Sequence, residues 1–172
     1  RVHEPPTQEK LEGLREFLGT LGLVVPRGKV RPRDLSSILD QVRGRPEEKL
    51  VSTVVLRSLQ KARYAPENLG HFGLALEHYS HFTSPIRRYP DLVTHRAVVR
   101  ALVDGAPVPD EWWDELEDVA ETASLREQAA TQAERDSIEL KKVEYMEQHL
   151  GDEFTGTISG VQAFGAFVLL DE

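Results

Sequence analysis

Apolar residues in this chain recur every three or four positions through most of the sequence up to Leu150, and from Gly151 they alternate with polar ones. The first spacing lines side chains along one stripe of a helix and the second along one face of a strand, so the pattern predicts a mainly α fold with a short β end. Thr7 is placed to cap a first helix, with Leu11, Leu14, Leu18 and Leu21 on its inner stripe and Gly22 to end it. After a basic loop from Arg27 to Arg33, a short second helix carries Leu35, Ile38, Leu39 and Val42 inward until Gly44 stops it. Pro46, Glu47 and Glu48 open a third, whose face of Leu50, Val51, Val54, Val55 and Leu59 runs to about Ala62. Pro90 and Asp91 open a fourth through Leu92, His95, Val99 and Leu102, ended by Gly105, Pro107 and Pro109. A helix from Asp110 to Glu121 follows, burying Trp112, Trp113 and Leu116. The capping-box spacing of Ser124 and Glu127 predicts a fresh helix from there to Leu150. Beyond Gly151, Phe154, Gly156 and Ile158 mark one strand, Gly160 a turn, and Phe164 to Leu170 a second strand.

Composition narrows the class. The absence of cysteine excludes a disulfide scaffold and cysteine-ligated zinc, and the spacing of His71, His78, His81 and His95 matches no zinc pattern. No apolar run approaches the ~20 residues of a membrane span, and a soluble, cytoplasmic protein is expected. The chain opens at Arg1 and closes in the apolar-rich run Leu169-Leu170-Asp171-Glu172, which predicts an internal piece of a longer protein. Its net charge of -8 is unevenly spread: residues 1–100 hold 17 Lys/Arg against 11 Asp/Glu, and residues 101–172 hold 4 against 18. A basic half suits local phosphate binding, and it equally suits solvated faces that cluster by chance; charge alone leaves both open.

The stretch from Tyr64 to Pro90 breaks the helical pattern. It is rich in Gly, Pro, His and aromatic residues, with a short strand-like run from Phe72 to Leu76. Loops of this kind on a helical scaffold commonly carry function. Arg87 and Arg88 stand just ahead of a predicted helix start, where free backbone N–H groups favour negative charge, and Thr83 and Ser84 add hydroxyl donors. One reading is an anion site. The other is a structural network in which both arginines pair with carboxylates such as Asp91, and spacing does not decide between them.

The run HFGLALEHYSHFTSPIRRYPDLVTHR from His71 to Arg96 resembles the signature of the RNB catalytic domain of the ribonuclease R/ribonuclease II family. The opening RVHEPP, the GRPEE and PENLGHFG segments, Ala133-Glu134-Arg135-Asp136 and the closing GDEFTGTISGVQAFGAFVLLDE agree in the same order, so the likeness covers essentially the whole chain. It implies a helical C-terminal portion of an RNB domain over residues 1–150. The tail, 151–172, is similar to the first two strands of an S-one type OB barrel, an RNA-binding fold.

The resemblance further implies a magnesium-dependent exoribonuclease that removes nucleoside 5′-monophosphates from RNA 3′ ends. Its partners would be single-stranded RNA and, by the same likeness, the ribosome, with no role for DNA or a membrane. The family's metal-binding aspartates fall upstream of Arg1, which leaves no magnesium ligands expected within this chain and predicts that the chain alone is inactive. Arg87 matches the family's active-site arginine, which braces the scissile phosphate, with Arg88 as its catalytic neighbour. Glu134 matches a glutamate that contacts the terminal ribose, and without the resemblance it would be an ordinary exposed helix residue. Phe164 and Phe167 are expected to stack on bases, against the alternative of core phenylalanines. Being three apart, they need a bend or bulge at Gly165 to share a face. Tyr64, His71 and Tyr79 are read as packing. The rival to an exoribonuclease is a non-catalytic RNA-binding module.

Overall fold

Thr7 begins the first helix as its side chain predicts: in the computed structural model, which describes residues 1–170, its hydroxyl accepts the Lys10 N–H at 3.3 Å. Helix α1 (Gln8–Thr20) buries Leu11, Leu14 and Leu18, and Gly22 follows it at φ +70°, a left-handed conformation that a side chain would strain. Helix α2 (Pro32–Val42) opens on Pro32, the proline of the basic loop, with Asp34 reaching back to the Arg31 N–H at 2.8 Å. Helix α3 (Glu48–Ser58) ends a turn earlier than its apolar face suggests, because Leu59 is already extended. The three helices and their connections enclose one apolar cluster that includes Leu14, Leu18, Val25, Ile38, Val51 and Val55. Each such side chain contributes about 1.5–3 kcal/mol by leaving water.

Residues 1–3 are stitched to the loop that follows α3. Val2 and Arg63 exchange both backbone hydrogen bonds at 2.9 Å, the His3 N–H donates to Gly70 O, and the Phe72 N–H donates to His3 O. The buried His3 ring holds Gln60 O at 2.8 Å through Nε2 and accepts the Gly73 N–H at 2.9 Å on Nδ1. A Cβ on Gly73 would stand 2.6 Å from that Nδ1, so glycine is required there by close approach. The run expected to be a short strand, Phe72–Leu76, is instead a 3-10 turn over Phe72–Leu74, closed by mutual hydrogen bonds between His71 and Leu76.

Helix α4 (Tyr89–Val98) passes into a π-helical stretch, Val99–Val103, in which the Asp104 N–H reaches back to Val99 O before Gly105 ends it. Helix α5 then runs unbroken from Asp110 to Met146, where two helices were expected. Ser124 does not cap a new helix; its hydroxyl donates to Ala120 O one turn back at 2.7 Å. Strands β1 (Gly156–Gln162) and β2 (Gly165–Leu170) form an antiparallel hairpin whose turn is Ala163-Phe164, not Gly160. Opposite Val168 and Phe167 stand Ile158 and Gly160, which leaves Ser159 as a bulge. The fold is mainly α with short β. The chain forms two compact units, Arg1–Glu127 and a second that begins at Gln128 within α5. Asp171 and Glu172 lie outside the described residues. Among the described residues no helix is long and apolar enough to cross a membrane.

Candidate functional site

Ser84 anchors the loop that leads into α4. Its carbonyl accepts the N–H groups of Arg87 at 3.2 Å and Arg88 at 3.0 Å, folding Ser84-Pro85-Ile86-Arg87-Arg88 into a tight turn. Its own N–H donates to Asp91 Oδ2 at 2.8 Å. Arg88 is the capping residue of α4, and Pro90 sits in the first turn, where a missing N–H costs nothing. Asp91 is 0% exposed, and Arg88 grips the same Oδ2 with Nε at 3.1 Å and Nη2 at 2.7 Å. Burial alone would push this carboxyl up, but the Ser84 N–H and the Arg88 guanidinium outweigh it and hold it below the ordinary carboxylate value.

The two arginines therefore differ. The structural network that spacing left open is present for Arg88. The Arg87 side chain is exposed, and its guanidinium has no hydrogen-bond or ion-pair partner among the described residues. A full set of guanidinium donors thus stands on a turn fixed on both sides of it, which is an arrangement suited to gripping the oxygens of a phosphate.

A layer of rings and hydroxyls gathers around His81 and Phe82, just ahead of this turn in the chain. Tyr64 Oη lies 2.9 Å from His81 Nδ1, the Tyr64 N–H donates to the buried Ser124 Oγ at 2.9 Å, and the Arg1 guanidinium stacks 4.7 Å from the Tyr64 ring centre. Arg1 in turn pairs with Glu127 at 2.6 Å. Burial, then the nearby Arg88 and Arg1 charges, lower the His81 pKa, which favours the uncharged ring at neutral pH. Burial raises the Tyr64 pKa, with Glu127 adding to the effect. His95 stacks on Phe82 with ring centres 4.1 Å apart and bonds Phe82 O at 2.7 Å. Beside this layer a cleft of about 270 Å³ is lined by Tyr64, His81, Pro90, Val93, Trp112 and Leu116 among others. The sequence alone reads Tyr64 as packing and gives His81 no zinc-ligand spacing. Their joint part in the site is visible only as a density of rings and histidines between Tyr64 and Pro90.

In the second unit Glu134 is exposed on α5. Phe164, 83% exposed in the hairpin turn, and Phe167, 54% exposed on β2, meet edge to face with ring centres 6.0 Å apart. Neither is a core side chain among the described residues. The expected bend at Gly165 is not what joins them: Phe164 occupies the turn itself, and the bulge lies across the ladder at Ser159. Among the described residues no group of three or more His, Asp or Glu side chains could hold a metal ion. The described residues do not fit a magnesium site.

The family model described as RNB domain matches residues 1–104. The chain belongs to the RNB domain family. It is 47% identical over 173 residues to ribonuclease R of Aquifex aeolicus, covering 100% of this chain and 24% of that protein. The apo form of Mycoplasma genitalium RNase R superposes with a TM-score of 0.88 at 33% identity, covering 100% of this chain and 28% of that one. The same enzyme in complex with ribose-methylated single-stranded RNA gives a TM-score of 0.87 at 34% identity, again over 100% and 28%. The chain therefore spans about a quarter of the length of these relatives. Within this RNB chain the matched span holds Arg87, Arg88 and Asp91, while Glu134, Phe164 and Phe167 lie beyond it.

Proposed function

We propose that the intact protein is an exoribonuclease that hydrolyses RNA processively from its 3′ end to nucleoside 5′-monophosphates, with magnesium held by residues outside this chain, in RNA decay and quality control. The observation that carries this reading is the guanidinium of Arg87, without a partner among the described residues, on a fixed turn inside the span that matches the RNB family. Residues 1 to about 150 are assigned to the C-terminal part of the catalytic domain and 151 to 172 to the start of an S-one type OB fold; the period switch at Gly151 and the hairpin support this.

Arg87 donates to the non-bridging oxygens of the scissile phosphate. Negative charge on those oxygens grows as the attacking oxygen bonds to phosphorus, so the contact strengthens in the transition state and speeds the step itself. Arg88 adds positive charge beside it while remaining seated on Asp91. Glu134 accepts the 2′-hydroxyl of the terminal ribose, which favours RNA over DNA. Phe164 and Phe167 offer flat faces to bases further along the strand. The partner is single-stranded RNA with a free 3′ end, in keeping with the single-stranded RNA bound by Mycoplasma genitalium RNase R. A cytoplasmic site of action, with ribosomes among its partners, belongs to the same reading.

The test is Arg87→Ala in the intact protein on a 5′-labelled oligoribonucleotide. Turnover falls ~100- to 1,000-fold, the usual loss when one such donor is removed, while RNA affinity changes little because many other contacts hold the strand. Equal, small losses in both would make Arg87 a docking residue and refute the assignment.

A further inference from the structure

Asp34 and Asp91 occupy the same position, three residues after the capping residue, in α2 and α4, and they do different things. Asp34 bonds the N–H of its own capping residue, Arg31, at 2.8 Å, which is the ordinary local role of an acid there. Asp91 leaves the N–H of its capping residue, Arg88, to Ser84 O and reaches outside the helix to the Ser84 N–H. A carboxylate keeps a place in a protein interior only where fixed donors replace its water. Here three donors converge on one oxygen: the Ser84 N–H at one end of the turn and Arg88 Nε and Nη2 at the other.

From this geometry we infer that Asp91 is a positioning residue for the reaction, clamping both ends of the Ser84–Arg88 turn so that Arg87 presents its guanidinium in one direction. The inference rests on the reading of Arg87 given above. Arg87 lies between the clamped ends, and its side chain has no partner among the described residues to aim it. Its direction is therefore set by the backbone of the turn, and the backbone by Asp91. A helix-start acid that only stabilised α4 would have no need of Ser84, which lies four residues before the capping residue. Misplacing a charge-stabilising donor by about 1 Å costs on the order of 100-fold in rate, so the clamp acts on turnover and leaves RNA affinity, which many contacts share, nearly unchanged.

The experiment is a double-mutant cycle in the intact protein, with Arg87→Ala, Asp91→Asn and the pair, reading kcat and KM on one oligoribonucleotide. Asp91→Asn alone lowers kcat about 10- to 100-fold with KM within about twofold, and in the Arg87→Ala background it lowers kcat no further. Multiplying losses would show that Asp91 acts independently of Arg87 and would overturn the inference, as would an unchanged kcat for Asp91→Asn alone. If Arg87→Ala itself leaves kcat unchanged, the assignment of Arg87 fails, and the role of Asp91 fails with it. Should Asp91→Asn not fold, Asp91→Glu keeps the charge and shifts the carboxylate by one methylene. It gives the same non-additive loss if the inference holds and a multiplicative or absent loss if it does not.

Discussion

His71 accepts the Leu74 N–H on Nδ1 at 3.2 Å, and His81 Nδ1 lies 2.9 Å from the Tyr64 hydroxyl. A protonated imidazole has no acceptor to offer, so the His71 bond requires the neutral ring. Burial lowers both pKa values first. Arg88 and Arg1 then act on His81 and His3 on His71, while Asp91 and Glu127 oppose the shift at His81 without reversing it. The unfolded chain takes up protons near the ordinary histidine value of about 6.5, whereas the folded chain resists until lower pH. The stabilising contribution is thus complete above about 6.5 and is lost as pH falls toward the depressed folded values. Thermal unfolding between pH 8 and pH 5 tests this: the midpoint falls on acidification, and His81→Gln, whose amide can still pair with the Tyr64 hydroxyl, falls less steeply. Identical pH profiles for parent and variant would remove His81 from the account. At this scale the sequence shows that two adjacent arginines precede a helix. Which of them is tied down is not legible, because it depends on where the Ser84 turn delivers each side chain relative to Asp91.

Among the elements, α5 shows most clearly where local sequence misleads. Ser124 and Glu127 have the spacing of a helix start, yet the helix runs through them because the Ser124 hydroxyl turns back to Ala120 O and accepts the N–H of Tyr64, sixty residues away. Sequence spacing cannot register a partner at that distance. The 3-10 turn at Phe72–Leu74 has the same origin, since His3 claims the Phe72 and Gly73 N–H groups that a strand would have used. By contrast α1 and α2 are legible nearly to the residue, because their caps and apolar stripes are all local. Ser124→Ala leaves the buried Tyr64 N–H without its acceptor, a loss of roughly 1–3 kcal/mol. Alanine's better helix propensity returns at most ~0.7 kcal/mol, so the variant is less stable in urea unfolding. Ser137→Ala, exposed on the same helix, serves as the control. Equal stability of the two variants would show that the Tyr64–Ser124 bond contributes nothing.

For the molecule as a whole, burial differs sharply between the two units. The first encloses the apolar cluster of α1, α2 and α3, whereas the side chains of β1 and β2 are almost all exposed. A two-stranded hairpin is marginal by itself in water. In dilute solution of the 172-residue chain, amides of residues 156–170 therefore exchange quickly, while those of Leu14, Ile38 and Val51 are protected by orders of magnitude more. Uniform strong protection of both groups would refute this. On the reading proposed above, this chain supplies the arginine that braces the phosphate and residues outside it hold the metal. One assay addresses it directly, namely a 5′-labelled oligoribonucleotide incubated in magnesium with the intact protein and, separately, with the 172-residue chain. The expected outcome is release of nucleoside 5′-monophosphates from the 3′ end by the intact protein and none by the chain alone. Mononucleotide release by the chain alone, abolished by EDTA, or an intact protein that binds the RNA and leaves it uncut, would contradict it.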